Sequence, residues 1–167
     1  MTTGTRKRKL EVLTINNDKK DCAALRSIMG HSNWIFHCVP DLSRAIQFLE
    51  KNLVRVIVCS KELPGGRTWK DVLAAVRRFP NPPDVLVYTA QPDDRLWMEV
   101  LSSGGFDLLP LPFNRDEVLR LISLASRKWW DDASNLQRRA ALQAELVIAK
   151  GNSHDSYRAH LIARGLF

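Results

Sequence analysis

The chain has 167 residues, room for one domain and an extension, since a domain takes roughly 100–200 residues. Apolar residues make up 45% and charged ones 26%, a globular balance rather than a disordered one; no run of about 18 apolar residues marks a membrane span. The net charge of +7 fits contact with phosphates, an acidic partner or a membrane surface, and equally a basic surface that only keeps the protein in solution.

Met1 to Lys9 is polar, has no apolar centre, and carries the basic arm Arg6-Lys7-Arg8-Lys9; a secretory signal is not expected there. Five short apolar runs follow: Glu11 to Ile15, Trp34 to Val39, Val54 to Cys59, Val85 to Tyr88 and Phe106 to Leu109. Those at Val54 and Val85 are rich in β-branched residues, as strands covered on both faces should be. Leu42, Ala45, Ile46 and Leu49 share one helical face after Asp41, a candidate N-cap. Val72, Ala75 and Val76 form a second such face, and Asn114 to Glu117 has the form of a capping box opening a helix lined by Val118, Leu121, Ile122 and Ala125.

Strands alternating with helices at this spacing predict a doubly wound α/β fold with five parallel strands. In such a sheet the functional crevice lies beyond the carboxyl ends of the strands, here Asn16-Asn17, Ser60, Thr89 and Leu111. After Trp129-Trp130 the pattern changes. Asp131 to Lys150 predicts one more helix, and Gly151 with the turn-forming residues after it predicts a break. The expected organisation is a basic arm at 1–9, a domain at 10–130 and a helical extension at 131–167.

Cys22, Cys38 and Cys59 lie in or beside apolar segments without metal-ligand spacing, and are expected as reduced, buried thiols of a cytoplasmic protein. His31, His37, His154 and His160 show no ligand spacing, and His37 is expected to be a structural residue of the second strand. Pro64-Gly65-Gly66 lacks the lysine of a phosphate-binding loop and is expected to be a turn.

Four segments in order resemble the receiver domain of bacterial response regulators, a flavodoxin-like fold. Leu10 to Asp18 resembles its first strand, which ends in an acidic pair. Val56 to Gly65 resembles its third, where the phosphoacceptor aspartate precedes a proline by four residues. Val85 to Ala90 resembles the fourth strand with its switch threonine, and Gly104 to Phe113 the fifth with its Lys-Pro-Phe ending. The likeness spans residues 10–128.

What the resemblance implies is then altered position by position. The magnesium-holding acidic pair corresponds to Asn16 and Asn17, the phosphoacceptor to Ser60, the lysine to Leu111 and the aromatic switch residue to Leu108; Thr89 alone keeps its kind. Hard Mg²⁺ seeks anionic oxygen, and no acyl phosphate forms on a serine. With three carboxylates gone, a half-buried lysine would lack a counter-charge, and Leu111 removes that problem. The expectation is a pseudo-receiver: not an enzyme, holding no metal or cofactor, and signalling through protein contacts independently of aspartyl phosphorylation.

The resemblance places the contact face, for a protein partner or a second copy, on the fourth helix, fifth strand and fifth helix, with Trp97, Leu108, Arg115 and Arg120 on it. Trp97 fits that face and an inward position beside Val100 and Leu101 equally well. The alternative output is RNA: Leu136 to Gly151 faintly resembles the helix of an ANTAR antiterminator module, in which Arg138 and Arg139 would contact phosphates. The chain departs from that module after Gly151.

Overall fold

The computed structural model describes residues 9–131; residues 1–8 and the extension, with Arg138 and Arg139, lie outside them. Five parallel strands, β1 (Glu11–Ile15), β2 (Ile35–Val39), β3 (Val56–Ser60), β4 (Asp84–Thr89) and β5 (Asp107–Pro110), form one sheet in the order β2-β1-β3-β4-β5. This is the doubly wound α/β fold with five parallel strands that the alternation predicts, and the flavodoxin-like fold that the resemblance implies.

Side chains in the central strands are covered on both faces. Val56, Ile57, Val58 and Cys59 are all fully buried, and each large apolar side chain so buried contributes about 1.5–3 kcal/mol relative to exposure. On one face the sheet packs against α2 (Leu42–Lys51), α3 (Trp69–Val76) and α4 (Asp94–Ser102), through Ala45, Val72, Val76, Leu96, Trp97 and Val100. On the other it packs against α1 (Lys19–Met29) and α5 (Arg115–Asp131), through Leu25, Met29, Val118, Leu121, Ile122 and Ala125.

Helix starts follow the side-chain chemistry of their caps. Asp41 accepts from Arg44 N at 2.8 Å and Asn114 from Glu117 N at 3.0 Å, each satisfying one orphan donor of a first turn. Asp18 caps α1 through Lys20 N at 2.7 Å, and Asp93 caps α4 through Leu96 N at 2.7 Å. Between α4 and β5, Gly105 is required for close approach: a Cβ there would stand 2.6 Å from Val100 Cγ1 and 2.9 Å from the Val100 carbonyl oxygen.

The segment after β3 is more than a turn. Glu62–Leu63 pairs antiparallel with Arg67–Thr68, closing a small hairpin through Gly65 and Gly66, which hold φ of 77° and 71°. Positive φ at two successive positions suits glycine because it has no Cβ to clash. The hairpin leads into α3, whose first turn has the reciprocal capping box of Thr68 and Asp71.

Two expectations are corrected by the packing. Cys22 and Cys38 are not separate thiols: they form a disulfide between α1 and β2. Only Cys59, among the described residues, is a buried free thiol. Trp97 is 1% exposed and Leu108 fully buried, so neither presents a surface. Both belong to the core shared by α2, α3 and α4, because alternation along β5 turns Leu108 inward and the indole of Trp97 finds a buried carboxylate. Arg115 and Arg120 are exposed, and Arg120 pairs with Glu117 at 3.2 Å.

Candidate functional site

The order of the sheet locates the crevice. The chain passes from β1 outward to β2, then returns to the other side of β1 for β3, and such a reversal opens a cleft at the carboxyl ends of the two central strands. Asn16 follows β1 and Ser60 ends β3. Thr89 ends β4 opposite Pro110, and Leu111 follows β5. The fold therefore brings Asn16, Ser60, Thr89 and Leu111 to one end of the sheet.

Each is held by neighbouring backbone. Asn16 N donates to the Val39 carbonyl at 3.0 Å, fastening the β1 end to β2. The Asn16 side-chain oxygen accepts from Asp18 N, an Asx turn that sets up the Asp18 cap of α1. Its amide nitrogen is buried and has no hydrogen-bond partner among the described residues. Asn17 is exposed. Thr89 is nearly buried, and its hydroxyl accepts from Gln91 N at 3.2 Å, so it shapes the β4–α4 turn. Leu111 packs against the α1–α5 core, and its N–H donates to the Thr89 carbonyl at 2.9 Å.

Two residues that the sequence reading did not single out complete the site. Tyr88 pairs in register with Ser60 across β3 and β4, and its side chain lies on the α1–α5 face of the sheet with Val56 and Val58. It is 1% exposed, and its ring meets Phe113 edge-on with centroids 5.0 Å apart. Burial raises the phenol pKa well above its ordinary value, and the neighbouring Asp21 carboxylate raises it further. Asp21 lies in the first turn of α1. Its own pKa is raised, first by burial and then by the charge of Asp18, against the opposing effect of the Tyr88 hydroxyl. The signal for Tyr88 was its position one residue before Thr89 on a fully buried strand. Asp21 carried none until α1 was placed over the sheet.

A metal ion of the Mg²⁺ type is not suited to this donor set. Asn16 and Ser60 offer neutral oxygens, and Asp18 uses its carboxylate on the helix cap. No cluster of three or more His, Cys, Asp or Glu suited to a metal occurs among the described residues. Two surface clefts lie elsewhere. One of about 790 Å³ runs between α2 and α3, lined by Asp41, Ile46, Arg67 and Arg78; another of about 350 Å³ lies at the starts of α3 and α4, lined by Lys61, Lys70, Asp93 and Arg95.

No protein-family model matches the chain, and neither does any curated protein. Solved structures do. The chain is similar to the signal receiver domain of an HD domain-containing protein from Pseudomonas fluorescens Pf-5, with TM-score 0.67 and 20% identity over 75% of this chain and 100% of that one. It is similar to the receiver domain of the Francisella response regulator 1452, with TM-score 0.63 and 24% identity over 72% and 99%. A third is the beryllofluoride-activated NtrC4 receiver domain dimer, with TM-score 0.65 and 18% identity over 71% and 98%. At these identities the likeness is one of architecture: residues 9–131 have the fold of response-regulator receiver domains.

Proposed function

We propose that this chain is a signalling module of the receiver type that works by protein–protein contact and does not use aspartyl phosphorylation. The single observation that carries the reading is the neutral crevice. Ser60 stands at the β3 end, Asn16 at the β1 end and Leu111 after β5, with the buried ring of Tyr88 on the α1–α5 face beneath them. The resemblance requires three carboxylates and a lysine in this place. Without them, neither a metal-assisted phosphoryl transfer nor the charge pairing that reads it has the groups it needs. The module is read as cytoplasmic; among the described residues no helix is long and apolar enough to cross a membrane.

The contact face runs over α4, β5 and α5, as in the resemblance, but is redrawn on exposed groups. Arg115, Arg120 and Arg127 with Leu124, 42% exposed, lie on the outer side of α5, and they suit an acidic partner or a second copy. The test is an amide NMR titration of the full chain with Mg²⁺ and beryllofluoride. Unmoved resonances at Ser60, Thr89, α4 and α5 are expected; saturable shifts running from the crevice to α4 and α5 would restore a phosphorylation switch.

A further inference from the structure

The one disulfide among the described residues joins α1 to the edge strand β2, beside the crevice. Cys22 lies in the first turns of α1 and Cys38 in β2, the edge strand, with Cα atoms 6.6 Å apart at a sequence separation of 16. Each cysteine adjoins a residue that builds the site. Asp21 precedes Cys22 and stands against the Tyr88 hydroxyl. Val39 follows Cys38, and its carbonyl holds Asn16 N at 3.0 Å. Cys38 pairs in register with Thr14, two residues before Asn16. The bond therefore ties the helix that carries Asp21 to the strand that fixes Asn16.

Both cysteines are partly exposed, within reach of small thiols and disulfides. Cys59 is fully buried, and burial raises its thiol pKa far above the usual value, so it stays unreactive. In reducing compartments, disulfides that do form are usually transient and sense the redox state. We propose that Cys22 and Cys38 are a reversible redox modification site, a dithiol–disulfide pair through which a glutathione-type disulfide sets the conformation of the crevice. This deepens the reading of a crevice without phosphoryl input by naming an input. It is tested separately, since thiol counting does not depend on beryllofluoride.

The chemistry balances as ordinary exchange. One protein thiolate, formed by loss of its proton, attacks a sulfur of the small disulfide and expels one small thiolate. The second protein thiolate then attacks the mixed disulfide at the protein sulfur, closing the Cys22–Cys38 bond and expelling the other. Two electrons pass from the protein to the small disulfide, which leaves as two thiols. Reduction runs the same steps backward. Opening the bond releases the first turns of α1 from β2. The remaining fastening there is the packing of Leu25 and Met29 and the Arg26 guanidinium 5.2 Å over the Phe36 ring.

The experiment equilibrates the folded full chain in glutathione buffers of graded redox ratio, quenches by alkylation and locates the labels by peptide mass. The same samples are followed by amide NMR. Cys22 and Cys38 are expected to exchange together between labelled and unlabelled while Cys59 stays unlabelled. Resonances of Asn16, Asp21, Ser60 and Tyr88 are expected to shift with the same midpoint. C22S and C38S should each fix the reduced spectrum across all ratios, and C59S should leave the titration unchanged. Three results overturn the proposal: a bond that never opens while the domain is folded, a bond that never closes, or a titration that leaves the crevice resonances in place.

Discussion

The Trp97 indole N–H donates to Asp107 Oδ1 at 2.9 Å inside the core, and the same oxygen accepts from Leu108 N at 2.8 Å. Trp97 is 1% and Asp107 8% exposed, so this carboxylate ties α4 to the start of β5 away from water. A hydrogen bond to a buried charged group is worth about 1.5–3 kcal/mol, and more is lost when the partner is stranded. W97F should therefore cost at least about 2 kcal/mol in denaturant unfolding. D107N, which keeps an acceptor, should cost less. Equal losses for the two variants would mean that ring packing, and not the hydrogen bond, holds the pair.

Tyr88 separates shape from polarity in the crevice. Its hydroxyl is buried without a well-formed partner, although Asp21 and Ser60 stand close enough to affect its ionisation. Removing a poorly satisfied hydroxyl is nearly neutral, so Y88F should change stability by less than about 1 kcal/mol. Y88A removes the whole ring from beside Phe113 and should cost about 3–5 kcal/mol. A large loss in Y88F would show that the hydroxyl is a structural hydrogen bond.

Asp21 gives the domain a pH dependence of known sign. Its folded pKa is raised above the ordinary 3.8, by burial first and then by Asp18. The folded state thus holds this proton more tightly than the unfolded one. The stabilisation is complete below the ordinary value and is lost as pH rises through the raised folded value. At neutral pH the ionised carboxylate is a small liability. D21N should melt slightly above the parent protein at pH 7, and the gap should narrow as pH falls below 4. A gap that is constant with pH would assign the effect to the change of shape.

Much of the fold was legible because it depends on local chemistry. The wholly apolar run at Val56 to Cys59 reads as a strand covered on both faces. Asp41 and Asn114 announce helix starts through side chains that reach only three residues ahead. What was not legible depends on distance. Trp97 shares a helix face with Val100 and Leu101, yet its choice between core and surface was settled by Asp107, which becomes its neighbour only once α4 folds back on β5. The Cys22–Cys38 bond required α1 to lie across the edge strand, and nothing in the spacing of 16 residues indicates that. Asn16, Ser60, Thr89 and Leu111 share one end of the sheet because strand ends in a parallel sheet converge by construction. Tyr88 and Asp21 were missed because they act from beneath and beside that end.

The disulfide also bears on stability. Closing a loop of about 16 residues removes conformational freedom from the unfolded chain worth about 3 kcal/mol. Under oxidising conditions C22S and C38S should each lose roughly that amount. Under strong reductant the parent should fall to their level, and all three should unfold together. A parent that keeps its advantage under reductant would locate the effect in packing around the two sulfurs.

The neutral crevice predicts that one charge is not enough to rebuild a phosphoryl site. S60D places a carboxylate at the β3 end, near Asp21 and with Leu111 where the resemblance has a lysine, and like charges in a partly buried site disfavour ionisation. The variant should be less stable than the parent and should remain silent to Mg²⁺ and beryllofluoride by NMR. Adding N16D, N17D and L111K restores the ligands and counter-charge that the resemblance calls for, and a saturable response should then appear. A response from S60D alone would mean that the remaining residues already form a working site, and the reading of four coupled replacements would fall with it.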